Sequence, residues 1–408
     1  MKIFIGLLIF TVSLFAAQED GSFKFSPYIK MNNEYNSNFL RTTQNQANVI
    51  MMKILPGLSL ENRNNQDTDI KLNANVSYKY FLSLSEQYKD IASNNSDFDL
   101  NAALNMAFWK TGNFSVYTND DFSKLSYSGY SNPIRKLSNI FNLGVQTTPF
   151  GKALKFRLGY NFNFNKTVFT DDLSDYTRIA SESQDNMEHN FNFGIEWRFL
   201  PKTALLSTTS YGMILHYNAD AGTKASLNIV DSTPIISKVG LKGVITPKLA
   251  LKLMLGWAYV IYETGGDFNS FVSDVEFTYN FSQKTSLVLG FRNSFKDVLF
   301  SNYLSYYSTY ANTKISLTNN LTFGMGINAD LNIYPTVSLG NNVTAPNSRT
   351  DIDARFNSGL SYSYKNYDFE LKYDARKIFT DFYTLYQGKT TKYDYLQHKV
   401  SLNLYMSF

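Results

Sequence analysis

Apolar and polar residues alternate with a period of two along most of this chain. Leu154, Phe156, Leu158, Tyr160, Phe162 and Phe164 share one side of an extended segment, and Lys155, Arg157, Gly159, Asn161, Asn163 and Asn165 share the other. Successive strand residues point to opposite faces, so the segment has one apolar and one polar face. A helix would scatter the same residues around its circumference. The split recurs in Leu249, Leu251, Leu253, Leu255, Trp257, Tyr259 and Ile261, and in Phe191, Phe193, Ile195, Trp197 and Phe199. Ile70, Leu72, Ala74, Val76, Tyr78 and Tyr80 oppose Lys71, Asn73, Asn75, Ser77 and Lys79, while Phe369, Leu371 and Tyr373 oppose Asp368, Glu370, Lys372 and Asp374. The alternating runs extend over about 10–15 residues, against about 5–6 for soluble strands. Aromatic residues gather near their ends, as a membrane-interface girdle requires.

Connections alternate in length. Short, turn-forming ones fall at Lys110–Asn113, Pro149–Ala153, Pro201–Lys202, Thr246–Lys248, Ser282–Lys284, Thr318–Asn320 and Lys365–Tyr367. Between them lie longer polar ones at Leu82–Asp97, Phe122–Leu137, Thr167–Asn186, Asn218–Asp231, Pro335–Ser348 and Ile378–Tyr393. Short periplasmic turns and long outer loops mark outer-membrane barrels. The pattern predicts an all-β, transmembrane antiparallel β-barrel of about 18 strands, or 16 if one hairpin is miscounted. Strands are expected to start near Phe23, Ala47, Thr68, Phe98, Asn113, Ser138, Leu154, Met187 and Thr203, and then near Thr233, Leu249, Ser270, Thr285, Asn302, Leu321, Arg349, Tyr367 and Asp394. Polar residues interrupt the apolar face of Asn113–Phe122, Thr203–Tyr217 and Asn302–Thr318.

The two ends carry addresses. Lys2, the apolar run Ile3–Phe15 and the small pair Ala16–Ala17 read as a signal peptide over 1–17, cleaved after Ala16 or Ala17. Residues 18–22 then form a short periplasmic segment and 23–408 the barrel. No later run approaches the roughly 20 apolar residues of a spanning helix, so a membrane-embedded chain must close as a barrel. At the other end Val400, Leu402, Leu404, Met406 and the terminal Phe408 alternate with Lys399, Ser401, Asn403, Tyr405 and Ser407. An alternating last strand ending in an aromatic residue is the signal expected to engage the barrel-assembly machinery.

Composition fits. The chain has 29 Tyr and 33 Phe but no Cys and 3 His, with aromatic residues at 16% and charged residues at 18%. Without cysteine there is no disulfide, thiolate metal site or lipidated anchor. A formal charge of +4 without a Lys/Arg run gives no basis for nucleic-acid binding. No catalytic or phosphate-binding motif is present, and no cofactor or metal is expected. By parity His189 and His398 lie on the lipid-facing register near the outer strand ends. His216 lies on the lumen register, with Asp220 as its nearest acid on the loop. The pairs Asp120–Asp121 and Asp171–Asp172 read as loop or strand-end carboxylates, with cation binding as the less common alternative.

The polar register lists the pore lining: Lys71, Lys79, Lys155, Arg157, Arg198, Lys238, Lys242, Lys252, Arg292, Arg355, Lys372, Arg376 and Lys399. The acids on it are Glu196, Asp274, Glu276, Asp330, Asp351, Asp353, Glu370 and Asp374. The basic excess predicts a mild preference for anions, reduced by salt bridges within the wall. Tyr28, Tyr117, Tyr306, Tyr310 and Tyr405 fall on the lumen side, as fillers or as platforms for sugar rings. Thr167–Asn186 or Pro335–Ser348 is long enough to fold into the lumen and narrow it.

The stretch from Asn33 to Phe81 carries a family resemblance. Asn33, Tyr35, Asn38, Phe39 and Arg41, followed by Pro56, Gly57, Leu58, Leu60 and Glu61, resemble the opening of the second-type β-barrel porin family. The resemblance implies a non-enzymatic integral pore embedded in outer-membrane lipid. In some members it implies export of exopolysaccharide together with a periplasmic polysaccharide-export protein. Export is thus the leading expectation. Passive diffusion of small hydrophilic, mildly anionic solutes is the alternative, and a surface adhesin or structural barrel a third. A receptor with an N-terminal plug and 22 strands exceeds this length.

Overall fold

A computed structural model describes residues 23–42, 46–62, 66–127, 134–168, 185–218, 224, 230–298, 301–337, 346–386 and 389–408. The expected signal peptide and the segment after it lie outside these residues. The strands are β1 (Phe23–Asn36), β2 (Val49–Asn62), β3 (Thr68–Ser83), β4 (Asp97–Phe108), β5 (Phe114–Tyr127), β6 (Ile134–Thr147) and β7 (Leu154–Val168). They continue as β8 (Asn186–Leu200), β9 (Thr203–Leu215), β10 (Ser232–Thr246), β11 (Leu249–Tyr262), β12 (Phe268–Asn280), β13 (Thr285–Val298) and β14 (Ser301–Ser316). The last are β15 (Leu321–Tyr334), β16 (Arg349–Tyr364), β17 (Tyr367–Thr380), β18 (Tyr383–Tyr386), β19 (Lys389–Lys392) and β20 (Tyr395–Ser407).

Eighteen of these form one antiparallel sheet, and β20 pairs with both β17 and β1, closing it. Closure leaves no unpaired sheet edge, which a lipid environment demands. The remaining two, β18 and β19, are a small hairpin inside the last long connection. A short helix over Lys89–Asn94 lies in the connection after β3. Two expectations change. The ends of the predicted loop Phe122–Leu137 are strand, because β5 continues through its polar residues to Tyr127 and β6 already starts at Ile134. The three interrupted segments are full strands, since neighbour pairing on both sides satisfies their backbones whatever their side chains.

Contacts that skip a strand identify the inner face. Lys53 on β2 reaches Asp99 on β4 at 3.4 Å, and Tyr310 on β14 donates to Glu276 on β12 at 2.7 Å. Side chains converge in this way only on the concave side of a curved sheet. The polar register therefore faces inward and the apolar register outward. Outward side chains are bare to the surroundings, with Leu158 60%, Trp257 54% and Leu402 52% exposed. Such a continuous apolar belt is stable only against lipid. No helix among the described residues is long and apolar enough to cross a membrane, and the spanning elements are the strands.

What core exists sits inside the outer mouth. Phe39, Ala47, Val49 and Phe81 bury Tyr88 and Ala92 of the helical connection. Across the mouth Ala258, Val260, Tyr262 and Val272 pack with Phe268, Phe295 and Tyr303.

Candidate functional site

The inner wall has two chemically different halves. On β12 to β17, β20 and β1 to β4 it is charged and internally paired. Asp274 binds Lys252 at 2.7 Å and Arg292 at 3.8 Å. Asp353, nearly fully buried, is held by Arg355 and Arg376, the latter at 2.7 Å, and Arg355 also approaches Asp330 at 3.6 Å. Asp351 binds Arg349 at 2.8 Å. Lys372 pairs with Glu370 at 2.9 Å, Lys399 with Glu34 at 2.9 Å, Lys71 with Glu61, and Lys79 with Asp99 at 3.0 Å. Near the short turns Glu196 takes Arg157 and Arg198, each at 3.2 Å. Lys155, Lys238 and Lys242 make no ion pair among the described residues.

Parity thus brought most of the expected lining residues together, but it left out Glu34, Lys53, Glu61, Asp97 and Asp99. Asp97, which the sequence places at the end of a long connection, opens β4 and binds Arg135. The others stand on the polar register of β1, β2 and β4, where the alternation that placed Lys71 and Lys79 applies equally. Lys30, over the rings of Tyr28 and Tyr405, Lys314 and Arg349 stand on the same register too, so the further inward groups carry both signs of charge.

The half formed by β4 to β8 is different. Asn105, Asn119, Asn142 and Asn161 are direct cross-strand partners on successive strands. Asn119 donates to Asn105 at 2.7 Å, Asn142 to Asn119 at 2.8 Å, Asn161 to Asn142, and Asn192 to Asn161. Beside this ladder the Tyr117 ring lies flat over Gly144, where a Cβ would overlap it. The same fit recurs on the charged half, where Tyr310 covers Gly290.

The mouth is narrowed by the end of the β13–β14 hairpin. Pairing between β12 and β13 stops at Ser273 and Asn293, although β13 runs on to Val298. Beyond that point Phe295 packs on Phe268 at 4.8 Å. Asp297 accepts from Tyr262 at 2.7 Å and from Ser232 on β10 at 2.6 Å. The hairpin tip thus leaves its neighbour and lies against the inner face of β10 to β12. Most of the two connections expected to narrow the lumen, 169–184 and 338–345, falls outside the described residues.

Beside this tip, Asp231 accepts from the His216 backbone N–H at 2.8 Å and binds Lys224 at 2.8 Å. Burial holds the His216 imidazole below its usual pKa, against the pull of Asp231. For Lys224 burial acts downward, but the hydrogen bond and charge of Asp231 and the charge of Glu263 outweigh it and raise the amine. Burial raises Asp185 despite donation from the Thr167 backbone and hydroxyl, both at 2.6 Å, and from Asn218. Burial and the Asp185 charge push the neighbouring Tyr217 up to about 12. The acid that meets His216 is therefore Asp231, and Asp220 lies outside the described residues.

Other singled-out residues resolve simply. His189 and His398 face outward near the outer strand ends, and each is bonded through Nδ1 to a neighbouring tyrosine hydroxyl, Tyr160 or Tyr373, at 2.8 Å. Asp120 and Asp121 are consecutive residues within β5, so they point to opposite faces and cannot share a cation. Asp171 and Asp172 lie outside the described residues. No group of three potential metal ligands occurs among the described residues. Asn38 closes the β1–β2 connection by donating to Thr42 O at 2.8 Å and Leu396 O at 3.0 Å. Its part in the family-like motif is thus structural. Val400, Leu402, Leu404, Met406 and Phe408 lie on the outward register of the closing strand and just beyond it, and the Phe408 amide donates to Pro27 O at 2.9 Å.

No family model and no curated protein matches the chain. Solved channels do match in fold. Pseudomonas aeruginosa OccK1 (OpdK) superposes with a TM-score of 0.51 at 11% identity over 94% of this chain and 99% of that one. OpdK with vanillate gives 0.50 at 12% identity over 94% and 99%. Acinetobacter baumannii OccAB3 gives 0.50 at 10% identity over 95% and 99%. The chain thus has the closed 18-strand fold of outer-membrane porins, and with its apolar belt it is an integral outer-membrane barrel.

Proposed function

We propose that this barrel is a non-catalytic diffusion channel for small hydrophilic solutes, with a mild preference for anions. The observation that carries this reading is the polar, solvent-accessible register facing the inside of a closed 18-strand barrel. A barrel of that size leaves an aqueous path. The fold neighbour solved with vanillate, a small organic acid, favours solute passage over polymer traffic. Export of exopolysaccharide rests on the resemblance around Asn33–Glu61 alone. The pore lining is assigned to Lys71, Lys79, Lys155, Arg157, Arg198, Lys242, Lys252, Arg292, Arg355, Lys372, Arg376, Glu276, Asp330 and Asp353. Internal pairing keeps the anion preference small. We further assign the outward face of β20 and Phe408 to recognition by the barrel-assembly machinery.

Refolded protein in planar bilayers tests the channel. Discrete ohmic conductance steps are expected, with a reversal potential displaced slightly toward that of the anion in a salt gradient. A bilayer that stays insulating would remove the reading, and a cation-selective current would remove its selectivity half. Deleting the gene should leave surface polysaccharide unchanged; loss of polymer with periplasmic accumulation would restore the export reading.

A further inference from the structure

We infer that the amide wall of β4 to β8 is a binding track for neutral polyhydroxylated solutes, sugars or sugar alcohols. The inference rests on the channel reading above and specifies what one side of its lumen recognises. An asparagine side chain has two donor hydrogens and two acceptor lone pairs. Within the ladder Asn119, Asn142 and Asn161 each give one donor and one acceptor to their neighbours. Each therefore keeps one of each for the lumen, and all three are only half-buried. The ladder bonds also fix each amide's orientation, so the free groups are presented in a set order. A hydroxyl is itself one donor and an acceptor, and it matches such a pair without any ionic term. Successive strands stand about 4.8 Å apart, which is close to the length of one pyranose unit.

A second, independent observation points the same way. Tyr117 sits two residues from Asn119 on the same face, with one side of its ring against Gly144 and 39% of the residue exposed. An exposed flat ring beside hydrogen-bonding amides suits the apolar face and the hydroxyl edge of a sugar. The ladder itself carries no charge. Ser123, Ser138, Asn163, Asn190 and Gly194 share this inner face, and its charged groups stand at the borders of the ladder: Asp121 on β5, Glu188 opposite Asn163, and Arg157 opposite Gly194.

The test is block of the ion current through the purified channel by maltotriose, with polyethylene glycol of similar mass as a solute that accepts hydrogen bonds but donates almost none. Maltotriose should reduce the current in a saturable way and polyethylene glycol should not. Replacing both Asn142→Ala and Asn161→Ala should raise the half-blocking concentration about tenfold, equivalent to ~1.4 kcal/mol. Lys284→Met, in the short turn between β12 and β13, should leave it unchanged. If the double variant gives no channels, Asn142→Ser and Tyr117→Ala read the same quantity singly. A conducting wild type that maltotriose affects no more than polyethylene glycol, or block that survives these substitutions, overturns the inference and leaves the channel standing. Absence of any current removes the channel reading and this inference together.

Discussion

The two halves of the lumen wall use the same strand register to different ends. On β4 to β8 the asparagines from Asn105 to Asn192 bond one to the next across the strands, and the row stays neutral. On β12 to β17 inward acids such as Asp274, Asp351 and Asp353 are clasped by one or two cations, as Asp353 is by Arg355 and Arg376, while Glu276 accepts from Tyr310. Neither arrangement holds the barrel together. A side-chain hydrogen bond contributes about 0.5–1.5 kcal/mol net, and ion pairs open to water about 0–1 kcal/mol. The backbone ladders and the lipid-facing belt set stability.

Neighbouring residues on the amide wall give the largest contrast. Phe193→Arg on the lipid side of β8 should cost about 2–4 kcal/mol, the penalty for a cation near the bilayer midplane, and the protein should fail to appear in outer-membrane fractions. Asn192→Arg, one residue away but on the lumen side, should assemble normally and move the reversal potential toward anions. Equal loss of both proteins would mean that the inward and outward faces are wrongly assigned.

On the charged wall, Asp353→Asn releases Arg355 and Arg376. We expect a loss of about 1–2 kcal/mol in urea unfolding in detergent, discounted for the exposure of both arginines, and a clear rise in anion selectivity. Unchanged selectivity would show that these arginines do not see the permeating ions.

A smaller effect concerns pH at the mouth. Burial lowers the His216 pKa from 6.5. As pH falls below 6.5 the unfolded imidazole takes up its proton first, so the corner around 216–231 loses stability until the folded pKa is reached. Amide exchange near His216 should therefore quicken, relative to the intrinsic rate, as pH drops from 7 to 5, and His216→Asn should flatten the response. Asp185 is shifted upward and acts in the opposite sense, gaining stability on acidification. The smallest expected change is Tyr160→Phe, which removes the outward bond to His189 near the wet interface, at about 0.5 kcal/mol in the same unfolding assay.

Much of this was legible in residue order. Alternation gave the strand number and placed starts such as Leu154, Leu249 and Arg349 where the structure has them. It also set Asp351, Asp353 and Arg355 on one inward face, because parity is a local property of an extended backbone. It failed where polar side chains masqueraded as loop, as at Phe122–Tyr127 and Ile134–Leu137, since pairing with a neighbouring strand is not written in a strand's own sequence.

The sequence by itself determined a two-faced, membrane-spanning sheet and which residues share its inner face. Only the tertiary structure decided which inward groups meet. Cross-strand register brings Asn142 opposite both Asn119 and Asn161, and barrel curvature brings Lys53 to Asp99 across an intervening strand. The β13–β14 tip turns inward because its apolar face finds Val260, Phe268 and Val272, residues from other strands that alternation alone would have assigned to an open, water-filled wall.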